Sequence, residues 1–119
     1  RRDRLSRRIA LFGPLVSKEL HRRNALGALE AYQRIVLDSL VQMLQMRYTP
    51  AHHGFNVRYA RHEFPPEVVG RLEELSYVGS QEDLPAKCRT AVEWFRETAE
   101  EVGEADIRSR IRHSGPGSA

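Results

Sequence analysis

The chain has little of several residue types, and each shortage excludes a class of protein. Its single cysteine, Cys88, cannot form an internal disulfide, so nothing in the composition argues for an oxidising compartment. No apolar run approaches the roughly twenty residues that a membrane-spanning helix needs. The sequence therefore predicts a soluble, cytoplasmic protein with no membrane partner.

The familiar catalytic signatures are missing as well. The sequence contains no Gly-x-x-x-x-Gly-Lys-Ser/Thr loop, no Gly-x-Gly-x-x-Gly after a strand, no His-Glu-x-x-His and no Cys-x-x-Cys. Cys88 lies within an apolar stripe, so we interpret it as a small core residue and not as a nucleophile. The residues alone therefore assign no catalytic group.

What remains is the composition of one helical, globular domain. The 119 residues are 40% hydrophobic and 29% charged, which is ordinary for a folded chain of this size. The chain begins at Arg1 without a methionine, and residues 114–119 have the composition of a flexible tail. One hypothesis is that it is a piece of a longer product.

The charge is unevenly distributed along the chain. Residues 1–62 contain 12 Lys/Arg and 4 Asp/Glu, residues 63–107 contain 4 and 12, and residues 108–119 add three arginines, for local balances of +8, −8 and +3. Too few aromatics are interleaved with the basic residues to form a stacking platform, so nucleic acid is not an expected partner. We expect basic and acidic helices to lie side by side.

Hydrophobic residues at helical spacing predict two helices in the first half of the chain. Asp3 is expected to cap a short basic helix over residues 4–12. A longer stripe predicts a second helix from about Ser17 to Arg47. Asn24 and Gly27 weaken the first half of that helix, which leaves room for a bend.

Two further helices follow the Pro65-Pro66 pair, because proline is tolerated in a first helical turn. Residues 68–75 form a short amphipathic pattern. Residues 80–83 resemble a capping box and open a last helix that is expected to end near Gly103. The predicted fold is all-α, an antiparallel up-and-down bundle of four to five helices. We divide the chain into a basic N-terminal helix or linker over 1–16, the bundle over 17–103, and a basic then flexible tail over 104–119.

The connection between the second and third helices carries most of the candidate binding residues. Guanidinium groups bind phosphate bidentately, so a nucleotide or substrate contact is a hypothesis for this stretch, and pairing with the acidic helices is the alternative. The candidates are Tyr48, His52, His53, Arg58, Tyr59 and Arg61. His52, His53, His62 and Glu63 match no known metal spacing, so no metal site is predicted.

Two pairs have the Arg-x4-His spacing of ribonucleases built on a related helical bundle. They are Arg108 with His113 and Arg47 with His52. Neither pair is followed by an apolar helix that would hold it in a cleft. The spacing alone supports a ribonuclease, which we keep as an alternative function.

Trp94 lies at the margin of the last helix's apolar stripe, where we expect it to be half-buried. A tryptophan in that position is a common interface anchor. The chain is accordingly expected to form a homodimer, and a plain helical oligomerisation module is a further alternative.

The order of these features carries a family resemblance. A long helix ends in Arg47-Tyr48-Thr49-Pro50, an aromatic and basic connection leads to Phe64-Pro65-Pro66, and residues 80–84 open the last helix. Over about residues 17–102 the chain resembles the C-terminal helical, substrate-binding domain of bacterial nucleotidyltransferases, including the aminoglycoside nucleotidyltransferase-like proteins.

The resemblance implies a non-catalytic accessory domain that contributes substrate binding or dimerisation to nucleoside-monophosphate transfer. The family's catalytic signature, Gly-Ser followed by an Asp-x-Asp pair that holds magnesium, is absent here. It implies that Mg²⁺ and a nucleoside triphosphate are held by a catalytic domain in the same or another chain, with no cofactor in this one. The chain alone is expected to be inactive.

Overall fold

The computed structural model describes residues 2–48 and 64–114, with side chains described as far as Glu104. Every element in these ranges is helical, which confirms the predicted all-α bundle. The elements are α1 (Arg2–Phe12), α2 (Leu15–His21), α3 (Ala25–Ala31), a π-helical turn (Tyr32–Leu37), α4 (Asp38–Tyr48), α5 (Pro66–Ser76) and α6 (Leu84–Ser114). None of these helices is both long enough and apolar enough to cross a membrane.

One apolar core joins all of these helices. It contains Leu5 and Ile9 of α1, Val16 of α2, Tyr32 of the π turn, Leu40 and Met43 of α4, Leu72 and Leu75 of α5, and Ala91 and Phe95 of α6. Fully burying a side chain of the Leu, Ile or Phe type stabilises a fold by about 1.5–3 kcal/mol. Because Leu5 is 1% exposed, α1 packs in the core of the bundle, and of the two alternatives for residues 1–16 the structure has the helix.

A break between α2 and α3 shows that the prediction of one helix over 17–47 is wrong. α2 ends at His21, and Arg23 adopts a left-handed φ of 62° before α3 begins. The side chain of Asn24 accepts a hydrogen bond from the N–H of Gly27 at 3.1 Å, which caps α3. A Cβ on Gly27 would lie 2.3 Å from Nδ2 of Asn24, so a larger residue at this position would displace the capping side chain. The two residues that favoured a bend therefore belong to a complete helix break.

The last helix extends further than its sequence pattern predicts. α6 continues to Ser114, so the expected end near Gly103 is wrong, and residues 104–114 are helical where a tail was expected. A glycine costs a helix only about 1 kcal/mol, and no proline occurs until Pro116. α1 also packs at this point, because Arg2 donates a hydrogen bond to the carbonyl of Ala99 at 3.1 Å. Gly103 therefore lies inside a docked helix and does not end it.

The start of α6 is held by an acidic side chain. The carboxylate of Asp83 accepts a hydrogen bond from the N–H of Gly79 at 3.1 Å, and the N–H of Asp83 donates to the carbonyl of Ser80. In the predicted capping box the acid would accept from the N–H of Ser80, so that box is not formed as predicted. Residues 81–83 instead form a turn, and α6 begins after it, at Leu84.

Candidate functional site

The long connection between α4 and α5 leaves and re-enters the bundle at one place. Tyr48 is the last residue of α4, and Phe64 is the first residue that the structure describes after it. Their ring centroids are 6.2 Å apart with an interplanar angle of 62°, an edge-to-face contact. Phe64 is 5% exposed, so this end of the connection is fixed in the core. We call Arg47, Tyr48, Phe64 and Glu101 the junction.

Arg47 links the junction to α6. Its guanidinium lies 5.1 Å from the ring centroid of Tyr48, and its Nε donates to a carboxylate oxygen of Glu101 at 2.9 Å. Side chains of this pair are 43% and 51% exposed, so solvent screens the ion pair to below about 1 kcal/mol. The aromatic contact holds the junction more strongly than the ion pair does.

Of the predicted binding residues, Tyr48 alone falls within the described part of the chain. It is 38% exposed, and its ring is therefore available on one side. His52, His53, Arg58, Tyr59 and Arg61 lie outside the described residues, as do His62 and Glu63. The structure thus brings together the base of the candidate site, and the binding assignment stays a prediction.

The Arg-x4-His pair formed by Arg108 and His113 lies on helical backbone. Arg108 and His113 are both within α6, five positions apart, which separates the two positions by roughly 140° around the helix axis. The ribonuclease alternative stays a prediction.

Trp94 is more deeply buried than its place in the stripe suggests. It is 6% exposed, and the guanidinium of Arg71 from α5 lies 3.9 Å from the ring centroid, a close cation–π contact. The expected half-burial is therefore wrong. Helical spacing places Trp94 at a margin, but it cannot indicate that α5 covers that margin. The interface role proposed for this residue stays a prediction, with little ring surface left for it.

Two titratable groups have raised pKa values, the fully buried Tyr32 and the partly buried Cys88. Burial raises the pKa of the Tyr32 hydroxyl, and the nearby Cys88 raises it further. That hydroxyl donates to the carbonyl of Leu75 at 2.7 Å, and so joins the π turn to the end of α5. Burial also raises the pKa of the Cys88 thiol, which keeps it from being a reactive thiolate. Neither group is suited to act as a nucleophile or base at neutral pH.

A groove of about 670 Å³ lies between α6 and the α1–α2 corner. Its apolar floor includes Ile9, Val16, Val92 and Phe95, and the wall on the α1–α2 side includes the small residues Ser6, Ala10, Gly13 and Ser17. Charged residues of α6, Arg89, Glu93, Arg96 and Glu100, also line it. Sequence reasoning missed this groove, because it placed α1 outside the bundle. In the residues that the structure covers, no group of three or more His, Cys, Asp and Glu side chains could hold a metal ion.

Comparison with family models, with curated proteins and with solved structures finds no match to this chain.

Proposed function

We propose that the chain is a non-catalytic helical accessory domain of a cytoplasmic nucleotidyltransferase, and that it contributes substrate binding to nucleoside-monophosphate transfer. The transfer itself belongs to a catalytic domain, in the same or another chain, that holds Mg²⁺ and the nucleoside triphosphate. The Asp-x-Asp pair that such chemistry uses to bind the metal occurs nowhere in this sequence.

The observation that carries the proposal is the junction. α4 ends at Tyr48, α5 begins at Pro66 and α6 begins at Leu84, which are the boundaries on which the resemblance depends. The contact between Tyr48 and Phe64 brings the two ends of the connection together against α6. Binding residues commonly lie on segments that a rigid scaffold positions, and in the sequence the candidates at 52–61 fall between Tyr48 and Phe64, which are in contact.

The first experiment identifies the catalytic domain. The native product is isolated from its source, and its intact mass and the peptides preceding Arg1 are determined. We expect a catalytic sequence with Gly-Ser and Asp-x-Asp, either in the same polypeptide or in a protein that co-purifies in equal amount. A product with neither would overturn the proposal.

The second experiment measures transfer. The 119-residue chain is incubated with Mg²⁺, radiolabelled ATP and aminoglycoside acceptors, and labelled product is separated by thin-layer chromatography. No transfer above background is expected from the chain alone, and transfer is expected once the catalytic domain is added. Robust transfer by the chain alone would contradict the assignment.

The reconstituted enzyme then tests the binding residues. Replacing Arg58 or Arg61 by alanine is expected to raise KM for nucleotide or acceptor about tenfold or more, because each variant loses a charged phosphate-type contact. Arg4→Ala is the matched control, since Arg4 is exposed on α1. Equal KM values for all three variants would show that Arg58 and Arg61 do not bind the substrate.

A further inference from the structure

The exposed charges of α6 that line the groove alternate in sign along the helix. Arg89, Glu93, Arg96 and Glu100 are all exposed. None of them takes part in an ion pair or hydrogen bond with the described side chains. Glu101, the next position along, is by contrast paired with Arg47 at 2.9 Å. The groove thus has four charges that the fold itself does not pair.

Pairing within the helix is a weak alternative for these charges. Arg89 precedes Glu93 by four positions, Arg96 precedes Glu100 by four, and Glu93 precedes Arg96 by three. An acid placed before a base at this spacing stabilises a helix more than the reverse order does, and even the better order contributes only about 0.2–0.5 kcal/mol. The four side chains therefore stay available to a partner at little cost.

The spacing of the charges is symmetric about a point between residues 94 and 95. Arg89 and Glu100 are equally distant from that point, and so are Glu93 and Arg96. If a second α6 packs antiparallel across a two-fold axis there, Arg89 faces Glu100 of the second copy and Glu93 faces Arg96 of the second copy. A two-fold interface needs this self-complementarity, since each contact occurs twice. A parallel arrangement would instead place each charge against its own kind.

We propose that the groove is a homodimer interface in which α6 packs antiparallel against α6 of a second copy, with these four residues fixing the register. The proposal is independent of the transferase assignment, because it concerns this chain and a second copy only.

The shape and chemistry of the groove fit a second helix. Val92 is half-buried on the floor, and the small side chains of Ala10, Gly13 and Ser17 on the opposite wall allow close approach of a helix. Leu11 is 71% exposed beside them in the chain. With the two-fold axis between residues 94 and 95, residues 84–105 of α6 overlap the same residues of the second copy, which is about 33 Å of helix at 1.5 Å per residue.

Sedimentation velocity of the full chain from about 1 to 200 μM tests the proposal. A concentration-dependent dimer is expected. Glu93→Arg places two arginines together at both symmetric sites, so it is expected to weaken the dimer at least about tenfold, and Arg96→Glu is expected to do the same. The double variant Glu93→Arg/Arg96→Glu restores opposite charges and is expected to recover to within about threefold of the original dissociation constant.

The matched control is Glu97→Arg, which makes the same charge change at an exposed position of α6 that does not line the groove. It is expected to leave the dimer unchanged, and circular dichroism verifies that each variant is helical. A chain that is monomeric throughout the range overturns the proposal, and so does a double variant that fails to recover. If the monomer instead binds a catalytic domain through these four residues, the groove belongs to that domain and the homodimer is rejected.

Discussion

At the scale of single residues, Arg8 compensates for an irregularity in the backbone. In the π turn the N–H of Asp38 donates to the carbonyl of Gln33, five residues back, and not to that of Arg34 as an α-helix requires. Arg8 from α1 donates to the carbonyl of Arg34 at 2.6 Å and to the carboxylate of Asp38 at 2.6 Å. The guanidinium of Arg8 therefore donates to two acceptors, the carbonyl of Arg34 that the π turn leaves without its usual donor and the carboxylate of Asp38.

Arg8→Ala is expected to destabilise the chain by about 1–2 kcal/mol, because a backbone acceptor and a carboxylate both lose a charged donor. The side chain is 34% exposed, and water replaces part of the loss, which keeps the effect at this modest size. Arg7→Ala, at an exposed neighbouring position of α1, is expected to change the stability by less than about 0.5 kcal/mol. Urea unfolding measures both variants, and equal losses would contradict the role given to Arg8.

At the scale of elements, the α2–α3 break depends on a residue in an unfavourable conformation. The left-handed region costs an ordinary L-residue about 1–2 kcal/mol, while glycine reaches it without strain. Arg23 lies there, and Asn24 immediately follows as the cap of α3. The Nδ2 of Asn24 also donates to Glu19 at 2.6 Å, so the corner is held from both sides. The capping contacts maintain the strained turn.

Arg23→Gly is expected to stabilise the chain by about 0.5–1 kcal/mol, because relief of the strain exceeds the extra backbone entropy that glycine loses on folding. Arg22 has an ordinary φ of −81°, so Arg22→Gly gains no such relief and is the matched control. Thermal unfolding followed by circular dichroism compares the two variants. A loss of stability in Arg23→Gly would show that this corner is not strained.

At the scale of the whole molecule, the basic first block of the chain and the acidic second block are in direct contact. Arg47 of the first block forms an ion pair with Glu101 of the second. Arg8 pairs within its own block, and Arg71 covers Trp94. The expected side-by-side arrangement is thus realised by the packing of α4 against α6, with the Arg47–Glu101 ion pair between them.

The stability of the whole fold is expected to fall at alkaline pH. Burial raises the pKa values of Tyr32 and Cys88 in the folded state, so above about pH 9–10 the unfolded chain loses protons that the folded chain keeps. The stabilisation is therefore complete below the ordinary pKa values and is lost as the pH rises towards the folded ones. Urea unfolding at intervals from pH 7 to 11 measures the slope.

Tyr32→Phe separates the contribution of the Tyr32 hydroxyl to the alkaline loss of stability from that of the Cys88 thiol. The variant leaves the carbonyl of Leu75 without its donor and is expected to lose about 1–2 kcal/mol at neutral pH, but its stability should depend less on pH above about 10. Tyr77→Phe, at a residue that is 74% exposed, should keep the original slope. An unchanged slope in Tyr32→Phe would assign the alkaline loss to other groups.

The amino-acid sequence by itself determined the helical class of this protein, because periodic apolar residues need no more than a neighbouring helix to bury them. It also predicted the start of α5 from Pro65-Pro66, since a proline in the first turn of a helix depends on local backbone chemistry. Asn24 and Gly27 marked the weak point of the long stripe for the same reason.

Only the tertiary structure decided which surfaces are covered. Helical spacing could not show that α1 enters the core, that Arg71 lies over Trp94, or that Tyr48 meets Phe64, because each contact joins residues distant in the chain. The same holds for the groove, whose walls come from α1, α2 and α6. Local patterns specify elements, while the partner of each element's remaining face is chosen by the packing of the whole chain.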